Sequence, residues 1–210
     1  MKTKMVFFDM DGVITREKSS WHYVHSRLGV DNSQNYKMYM DGKISYDEFF
    51  ELDIKMWMAK FGKIKKSTII NILDEIKIRN CFDNVMSSLR KMSVKTAIVS
   101  GGISWLAEKI GAKYGINYVY ANEILTDDNG YIIPAGRISV IPDRKDIVIN
   151  KIIRASGIDK KETLSVGDSA GDYSMLVSTD RFLSINSDDK ILNENAFAVI
   201  NNLGELLNYL

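Results

Sequence analysis

The sequence predicts an α/β fold with a Rossmann-like parallel sheet, because strand-like runs alternate with helical segments over a length that suits one core. Short apolar or β-branched runs recur at residues 4–8, 94–99, 118–121, 163–166, 181–185 and 197–200. Helix-period segments separate most of these runs, which is typical of βαβ units in parallel sheets. The 210 residues are enough for one such core with a small second lobe.

The segments between these runs carry the start and stop signals of helices. Helical patterns cover residues 82–91, 103–114 and 144–156. Gly115 and Gly157 end the last two patterns. Residues 128–130, Asp-Asn-Gly, form a turn signal between two strand-like arms. They predict a small β-hairpin flap at the edge of the sheet.

Residues 15–80, between the first two predicted strands, contain four helical patterns and no strand pattern. Ser19 and Ser20 can cap a helix that ends at Gly29, and Ser45 with Glu48 forms a capping box for a helix that runs toward Lys60. Two more helical patterns cover residues 33–40 and a segment that starts at Ser67 and places Ile69, Ile72, Leu73 and Ile76 on one face.

These four patterns predict a separate helical unit. We expect a four-helix cap domain over residues 15–80, inserted into a catalytic core formed by residues 1–14 and 81–210. The aromatic residues of the insertion are expected to form mainly the core of this small bundle.

The composition is that of a folded protein with almost no net charge. Lys and Arg number 28 against 27 for Asp and Glu, so the net charge is +1. No overall field draws such a chain to nucleic acid or anionic lipid, and we expect neither kind of partner. The composition leaves a monomer and a homodimer equally open.

Cysteine usage and the N-terminal segment bear on location. Cys81 is the single cysteine, so an internal disulfide framework is excluded and a reducing compartment is favoured. The apolar run at residues 5–8 is too short for a signal peptide or a membrane span. We therefore expect a cytoplasmic location.

Two carboxylates directly follow the first predicted strand. Asp9 and Asp11 stand two residues apart, and Gly12 allows the chain to turn sharply there. In a parallel α/β sheet, ligands bind at the carboxyl ends of the strands. A solvated Asp-x-Asp-Gly turn is the alternative interpretation of this pattern on its own.

Residues suited to anion binding follow the second strand and begin a later helix. Ser100, Gly101 and Gly102 combine a small hydroxyl with glycines whose backbone N–H groups can approach an anion closely. Lys145 stands near the start of a helix, where a cation opposes the helix dipole. Taken singly, a structural Gly-Gly turn and a surface lysine would explain these residues equally well.

A last strand end carries two more carboxylates. Residues 163–166 are followed by Gly167, Asp168 and Asp172. Because the strand ends of one parallel sheet converge on one crevice, all the acidic and basic residues above are expected to meet there. The occurrence of all four groups of residues in one chain favours a functional site over four unrelated local features.

In this order, the residues resemble the motifs of the haloacid dehalogenase (HAD) superfamily of phosphatases. The superfamily pattern is Asp-x-Asp-x-Thr/Val, a Ser/Thr, a lysine and Gly-Asp-x-x-x-Asp. It is matched by residues 9–13, Ser100, Lys145 and residues 167–172. The resemblance covers essentially the whole chain, including the helical cap after the first motif, a layout similar to that of phosphoserine phosphatases.

The resemblance implies a phosphomonoester hydrolase that acts on a small metabolite through an aspartyl-phosphate intermediate. Asp9 would be the nucleophile. Asp11 would be the acid/base that protonates the leaving oxygen and then activates water. Ser100, Gly101 and Lys145 would bind the phosphoryl oxygens.

The resemblance also implies one Mg²⁺ ion. It would be held by Asp9, the backbone carbonyl of Asp11 and Asp168, with support from Asp172, and oxygen-only ligands suit magnesium. Electrostatics supports this requirement, since a carboxylate ~4 Å from a phosphate dianion meets a repulsion of roughly 8 kcal/mol at an effective dielectric constant of ~20. A divalent ion together with Lys145 would offset it.

Other functions stay open at this point. A phosphotransferase or phosphomutase of the same superfamily would return the phosphoryl group to a sugar rather than to water. A receiver-like signalling domain also combines acidic residues, a Ser/Thr and a lysine on a parallel sheet, although the insertion at residues 15–80 argues against it. A catalytically silent binding protein on this fold is the remaining alternative.

Two positions in the expected cap bear on the substrate. Phosphoserine phosphatases carry a cap glutamate that binds the serine ammonium and a cap arginine that binds the serine carboxylate. Lys18 stands in the position aligned with the glutamate, and Glu51 stands in the position aligned with the arginine. We therefore expect phosphoserine to be a poorer substrate than a phosphomonoester without an α-carboxylate. The cap cations that could replace the arginine are Arg16, Lys18, Arg27, Lys37, Lys43 and Lys55.

Overall fold

A seven-stranded sheet forms the centre of the computed structural model, which describes residues 2–210. The strand order is β4-β3-β2-β1-β5-β6-β7, and every pairing is parallel except that of β3 with β4. The strands are β1 Met5–Phe8, β2 Lys95–Ile103, β3 Tyr118–Thr126, β4 Ile132–Arg137, β5 Thr163–Gly167, β6 Arg181–Ile185 and β7 Ala198–Ile200. The α/β class and the parallel core predicted from the sequence are confirmed.

Helices fill the connections between the strands. They are α1 Ser20–Leu28, α2 Ser33–Met40, α3 Tyr46–Phe61, α4 Lys66–Leu73, α5 Phe82–Lys91, α6 Ser104–Tyr114, α7 Lys145–Ser156, α8 Tyr173–Ser178 and α9 Lys190–Asn195. The first four lie between β1 and α5, where the sequence predicts four helices. Throughout residues 2–210, each helix falls short of the length and apolar character needed to cross a membrane.

The central strand β1 is buried on both sides. Successive side chains of a strand point to opposite faces of a sheet. Val6 and Phe8 accordingly belong to the hydrophobic core that includes α5 and α6, while Met5 and Phe7 belong to the one that includes α7 and α8. Burial on both faces explains why β1 is a continuous apolar run, and it fixes the position at which the following aspartates emerge.

Strand β2 is longer than the sequence predicts. Its pairing with β3 shifts register between Val99 and Ile103 and resumes where Ile103 pairs with Asn122. Residues 100–102 therefore lie in an irregular part of the strand, and helix α6 begins only at Ser104. Close packing requires glycine at both positions, because a Cβ at Gly101 would meet Pro142 at 2.8 Å and a Cβ at Gly102 would meet Met10 at 2.6 Å.

The helical insertion, residues 15–80, has the caps that the sequence indicates at its first and third helices. Ser19 caps α1 by accepting a hydrogen bond from His22, and Ser45 and Glu48 form the predicted capping box of α3. Helix α4 is shorter than expected. It ends at Leu73, and the buried Ile76 lies beyond it, in a turn that leads the chain back toward the core.

The two ends of the insertion pair with each other. Thr15 forms an antiparallel bridge with Ile78, and the N–H groups of Arg16 and Arg79 donate to the carbonyls of Lys77 and Ile14. The Arg79 guanidinium also donates to the Gly12 carbonyl over 2.6 Å. The chain thus leaves and re-enters the core through one narrow connection, directly beside the acidic turn after β1.

Candidate active site

All the acidic and basic residues predicted for the site meet at the carboxyl edge of the sheet. Asp9 and Asp11 follow β1, Asp168 follows β5, Ser100 lies in the irregular part of β2, and Lys145 is the first residue of α7. Each of these side chains is buried, as is Asp172. Buried polar groups require partners, so their mutual contacts define what the site can do.

The ammonium of Lys145 lies between two carboxylates. Its Nζ is 3.0 Å from Asp9 Oδ2 and 2.6 Å from Asp172 Oδ1. Burial alone would lower the pKa of the Lys145 ammonium, but the charges of Asp172 and Asp9 outweigh burial and raise that pKa. Lys145 is therefore a permanent cation at the centre of the site, and its position at a helix N-terminus is stabilised by these two partners.

Asp172 holds the loop after β5 in place. Its Oδ1 accepts from Lys145, and its Oδ2 accepts the backbone N–H groups of Asp168 and Ser169 over 2.9 and 3.1 Å. Gly167 is needed for this contact, because a Cβ there would meet the Asp172 carboxyl carbon at 2.4 Å. Both carboxylate oxygens of Asp172 are engaged, so its main effect in this structure is to position Lys145 and Asp168.

Asp9 is fixed by its own turn. Its Oδ1 accepts the backbone N–H of Met10 over 2.7 Å, and its Oδ2 faces Lys145. Burial raises the pKa of the Asp9 carboxyl, while the charge of Lys145 opposes that rise. The geometry presents one carboxylate with a defined orientation at the end of the central strand.

Asp11 has an asymmetric environment. Its Oδ2 accepts two hydrogen bonds from Ser20, from the backbone N–H over 2.8 Å and from the hydroxyl over 2.7 Å, while its buried Oδ1 has no partner among residues 2–210. The Ser20 hydroxyl itself accepts from the Ile103 N–H over 3.2 Å, which directs its proton toward Asp11. Burial raises the pKa of Asp11 to about 7. At neutral pH this carboxyl can therefore give up or take a proton, and its free position is Oδ1.

The Gly101 carbonyl accepts three hydrogen bonds that the sequence did not indicate. The donors are Trp21 Nε1 over 3.2 Å, Tyr46 Oη over 3.3 Å and Asn122 Nδ2 over 3.2 Å. Trp21 and Tyr46 belong to the insertion, and Asn122 lies in β3. These contacts fix the peptide between Gly101 and Gly102, so the insertion directly shapes this loop.

The acidic residues can hold a divalent cation. Carboxylate oxygens of Asp9, Asp168 and Asp172 lie within 4.8 Å of one another. Burial, and then the charges of Asp9 and Asp172, raises the pKa of Asp168 to about 8. Three buried carboxylates against the single ammonium of Lys145 leave an excess of negative charge, and a set of oxygen ligands suits a hard divalent ion. The residues present therefore fit a metal at this position.

The comparisons with known proteins agree with this geometry. The family model of the haloacid dehalogenase-like hydrolases matches residues 3–179. The chain belongs to this family of hydrolases. The fold, the superfamily and the enzyme class predicted from the sequence motifs are thereby confirmed.

The chain is similar in sequence to phosphoserine phosphatases. That of Methanocaldococcus jannaschii is 24% identical over 176 residues, which cover 83% of this chain and 81% of the relative. That of Archaeoglobus fulgidus is 25% identical over 177 residues, which cover 82% of this chain and 49% of the relative, so the chain spans about half the length of that protein.

Solved structures show the same fold over the full chain. A phospho-aspartyl intermediate analogue of phosphoserine phosphatase superposes with a TM-score of 0.81 at 24% identity, covering 100% of both chains. A substrate-bound phosphoserine phosphatase has the same TM-score at 23% identity. The likeness to phosphoserine phosphatases is therefore one of sequence and of overall architecture.

The raised pKa values predict how the stability of the metal-free protein depends on pH. The pKa values of Asp11 and Asp168 rise from 3.8 to about 7 and about 8 in the folded chain. The folded state therefore keeps protons that the unfolded state has released, and stability falls as pH rises from about 4 to about 8. In chelator, we expect the melting temperature to decrease over this range, by about 2–4 °C per kcal/mol lost.

The Asp168→Asn variant is the matched control for this dependence. It removes one of the carboxyls whose pKa is raised, so its melting temperature should vary less with pH and its metal-free stability at about pH 8 should exceed that of the parent. Differential scanning calorimetry of both proteins measures this. Stability that rises with pH in the metal-free parent would contradict the assignment.

Proposed function

We propose that this chain is a Mg²⁺-dependent phosphomonoester hydrolase that acts on a small metabolite through an aspartyl-phosphate intermediate. The observation that carries the proposal is the pair formed by Asp9 and Asp11. One carboxylate is oriented beside the cation Lys145, and the other has a pKa of about 7 and one free oxygen atom. A nucleophile beside a proton donor of this kind is what transfer of a phosphoryl group to an enzyme carboxylate requires.

In the first step, a carboxylate oxygen of Asp9 forms a bond to phosphorus while the bond to the leaving oxygen breaks. The leaving oxygen takes the proton from Asp11. Because Oδ2 of Asp11 already accepts two hydrogen bonds from Ser20, this proton resides on Oδ1. The products are the free alcohol and the phosphorylated Asp9.

In the second step, water attacks the phosphorylated Asp9. Asp11, now a carboxylate, takes a proton from the water molecule as its oxygen bonds to phosphorus and the bond to Asp9 breaks. Inorganic phosphate leaves, and both carboxyls return to their starting forms. A carboxyl with a pKa near neutrality serves both steps, because it is present as acid and as base at the same pH.

The charges of the site support the phosphoryl group through both steps. Lys145 supplies a fixed positive charge, and Ser100 and the Gly101 backbone lie at the same edge of the sheet. We assign Mg²⁺ to Asp9, Asp168 and the backbone carbonyl of Asp11. When bound, the ion supplies positive charge that offsets the repulsion between Asp9 and a phosphate dianion.

We further propose that the helical insertion acts as a cap over the core formed by residues 1–14 and 81–210. Its direct contacts with the site support this role, since Ser20 donates to Asp11 while Trp21 and Tyr46 donate to the Gly101 carbonyl. A cytoplasmic location, which rests on the single cysteine, is part of the same proposal.

The Asp9→Asn variant tests the nucleophile. Asparagine has nearly the same shape but cannot form the aspartyl-phosphate, so turnover should fall below detection while the melting temperature stays measurable and cooperative. Acid-quenched reactions should show covalently bound phosphate in the parent and none in the variant. The exposed Asp83→Asn variant serves as the control and should keep full activity. Retained turnover in Asp9→Asn would overturn the mechanism.

The Ser20→Ala variant tests how Asp11 is held. It removes a hydrogen bond to a charged group, which costs about 1.5–3 kcal/mol, or about 10- to 100-fold in kcat. The loss should be smaller for an aryl phosphate, whose leaving group needs little protonation. Ser19→Ala removes the cap of the same helix without touching Asp11 and is the matched control. An equal loss in both variants would show that Ser20 acts only through helix stability.

A phosphate-release assay over small phosphomonoesters, with and without Mg²⁺, tests the function as a whole. We expect hydrolysis that stops on chelation and returns with added Mg²⁺. Asp168→Asn should raise the Mg²⁺ concentration needed for half-maximal activity at least about tenfold, since it removes one charged ligand. Full activity in excess chelator would remove the metal from the proposal, and transfer of phosphate to an added sugar in place of water would change the reaction class.

A further inference from the structure

The carbonyl oxygen of Gly101 accepts more hydrogen bonds than its two lone pairs provide for. Trp21, Tyr46 and Asn122 all donate to it, over 3.2, 3.3 and 3.2 Å. Gly101 also lies in the irregular part of β2, where the pairing with β3 is interrupted. Side chains therefore take the place of a neighbouring strand in fixing this peptide.

Asn122 is the donor from the core, and its buried amide is held in one orientation. Its Oδ1 accepts the backbone N–H groups of Ser139 and Val140, each over 2.9 Å. Its Nδ2 therefore faces the acceptors, which are the Val140 carbonyl at 2.8 Å, the Gly101 carbonyl and the hydroxyl oxygen of Tyr46 at 3.1 Å. Asn122 thus ties the Gly101 peptide to the segment that leads to α7.

Tyr46 supplies its hydrogen bond from the insertion. It is the first residue of α3, and it is buried. Its hydroxyl oxygen accepts from Asn122, so the hydroxyl proton is free to donate to the Gly101 carbonyl. Asn122 therefore orients the Tyr46 hydroxyl, and both groups meet at one carbonyl oxygen.

The Gly101 carbonyl and the Gly102 N–H belong to one peptide group, and this N–H holds Ser100. Gly102 donates to Ser100 Oγ over 3.2 Å, which directs the Ser100 hydroxyl proton away from Gly102. Hydrogen bonds to a carbonyl polarise the peptide and strengthen its N–H as a donor. The three donors to Gly101 therefore act on the orientation of the Ser100 hydroxyl.

The same peptide lies against the reacting carboxyl. A Cβ at Gly102 would meet Asp11 Oδ2 at 2.7 Å and the Ser20 hydroxyl at 2.8 Å. The peptide between Gly101 and Gly102 is therefore part of the wall of the site, and its orientation determines what that wall presents to a bound anion.

We propose that Tyr46, oriented by Asn122, is a positioning residue for phosphoryl binding, and that it acts through the Gly101–Gly102 peptide on the hydroxyl of Ser100. The proposal rests on the hydrolase function above, with Ser100 assigned to a phosphoryl oxygen. Affinity for the phosphoryl group then depends on a hydroxyl of the insertion as well as on the core.

The Tyr46→Phe variant tests this role, because it removes the hydroxyl and keeps the ring. Loss of this hydrogen bond should raise the dissociation constant of inorganic phosphate, measured by calorimetric titration in Mg²⁺, about three- to tenfold. KM should rise by a similar factor for alkyl and aryl phosphates alike, with kcat within about twofold. This pattern differs from that of Ser20→Ala, which depends on the leaving group.

Tyr39→Phe is the matched control. The Tyr39 ring packs edge-on against that of Tyr46, with the ring centroids 5.6 Å apart. Removal of the Tyr39 hydroxyl should change phosphate affinity and KM by less than about twofold. A role of Tyr46 in stability alone would lower the melting temperature and kcat of Tyr46→Phe but leave its phosphate dissociation constant unchanged, and that result would rule out the proposal.

The Trp21→Phe variant tests the route through the Gly101 carbonyl. It removes a second donor and keeps an aromatic ring against Phe50. Because three donors converge on one oxygen atom, the remaining two compensate for the loss of one. The Tyr46→Phe/Trp21→Phe double variant should therefore lose phosphate affinity by at least about twofold more than the product of the two single losses. Losses that simply multiply would show separate routes and contradict the proposal.

Phosphate binding separates this proposal from the hydrolase function, since it requires no turnover. Weaker phosphate binding by Tyr46→Phe, with unchanged binding by Tyr39→Phe, supports the positioning role even if no ester is hydrolysed. Equal phosphate binding by the parent and Tyr46→Phe overturns it even if the parent hydrolyses phosphomonoesters.

Discussion

The buried ammonium of Lys145 is the contact on which the geometry of the crevice depends. It joins the end of β1, the start of α7 and the loop after β5 through Asp9 and Asp172. Without it, two buried carboxylates would face each other with no counter-charge, and an uncompensated buried charge is strongly destabilising. Asp172 carries the effect further, because its second oxygen accepts the N–H groups that orient Asp168.

The excess of carboxylates in this cluster disfavours the folded state but serves the proposed function. Asp9, Asp11, Asp168 and Asp172 are all buried. Lys145 is the cation that pairs with this cluster among residues 2–210, and it contacts Asp9 and Asp172. Burial accordingly raises the pKa values of Asp9, Asp11 and Asp168. A folded chain tolerates such crowding because its sheet holds the strand ends rigidly, and the same crowding produces both affinity for a divalent cation and a carboxyl that titrates near neutrality.

The sequence was sufficient for the core and for the charged residues, because both depend on local patterns. Apolar runs specify strands, and acidic residues directly after them must emerge at one edge of a parallel sheet. Contacts between distant segments have no such pattern. Ser20 looks like an ordinary helix cap, and the convergence of Tyr46 and Asn122 on the Gly101 carbonyl depends on how the insertion packs. The orientation of the Glu51 side chain likewise depends on its ion pair with Lys55, one helical turn further along α3. The catalytic roles themselves stay predictions.

The hydrogen bonds from Ser20 to Asp11 limit how far this architecture is modular. An inserted domain attached through one narrow connection could be exchanged for another during evolution or in protein engineering, with the core left to carry out the reaction. Here the insertion supplies both donors that hold the Asp11 carboxyl, together with two of the three donors to the Gly101 carbonyl. A grafted insertion would have to restore these donors at the same places, so a change of substrate range by domain exchange would also alter the chemical step.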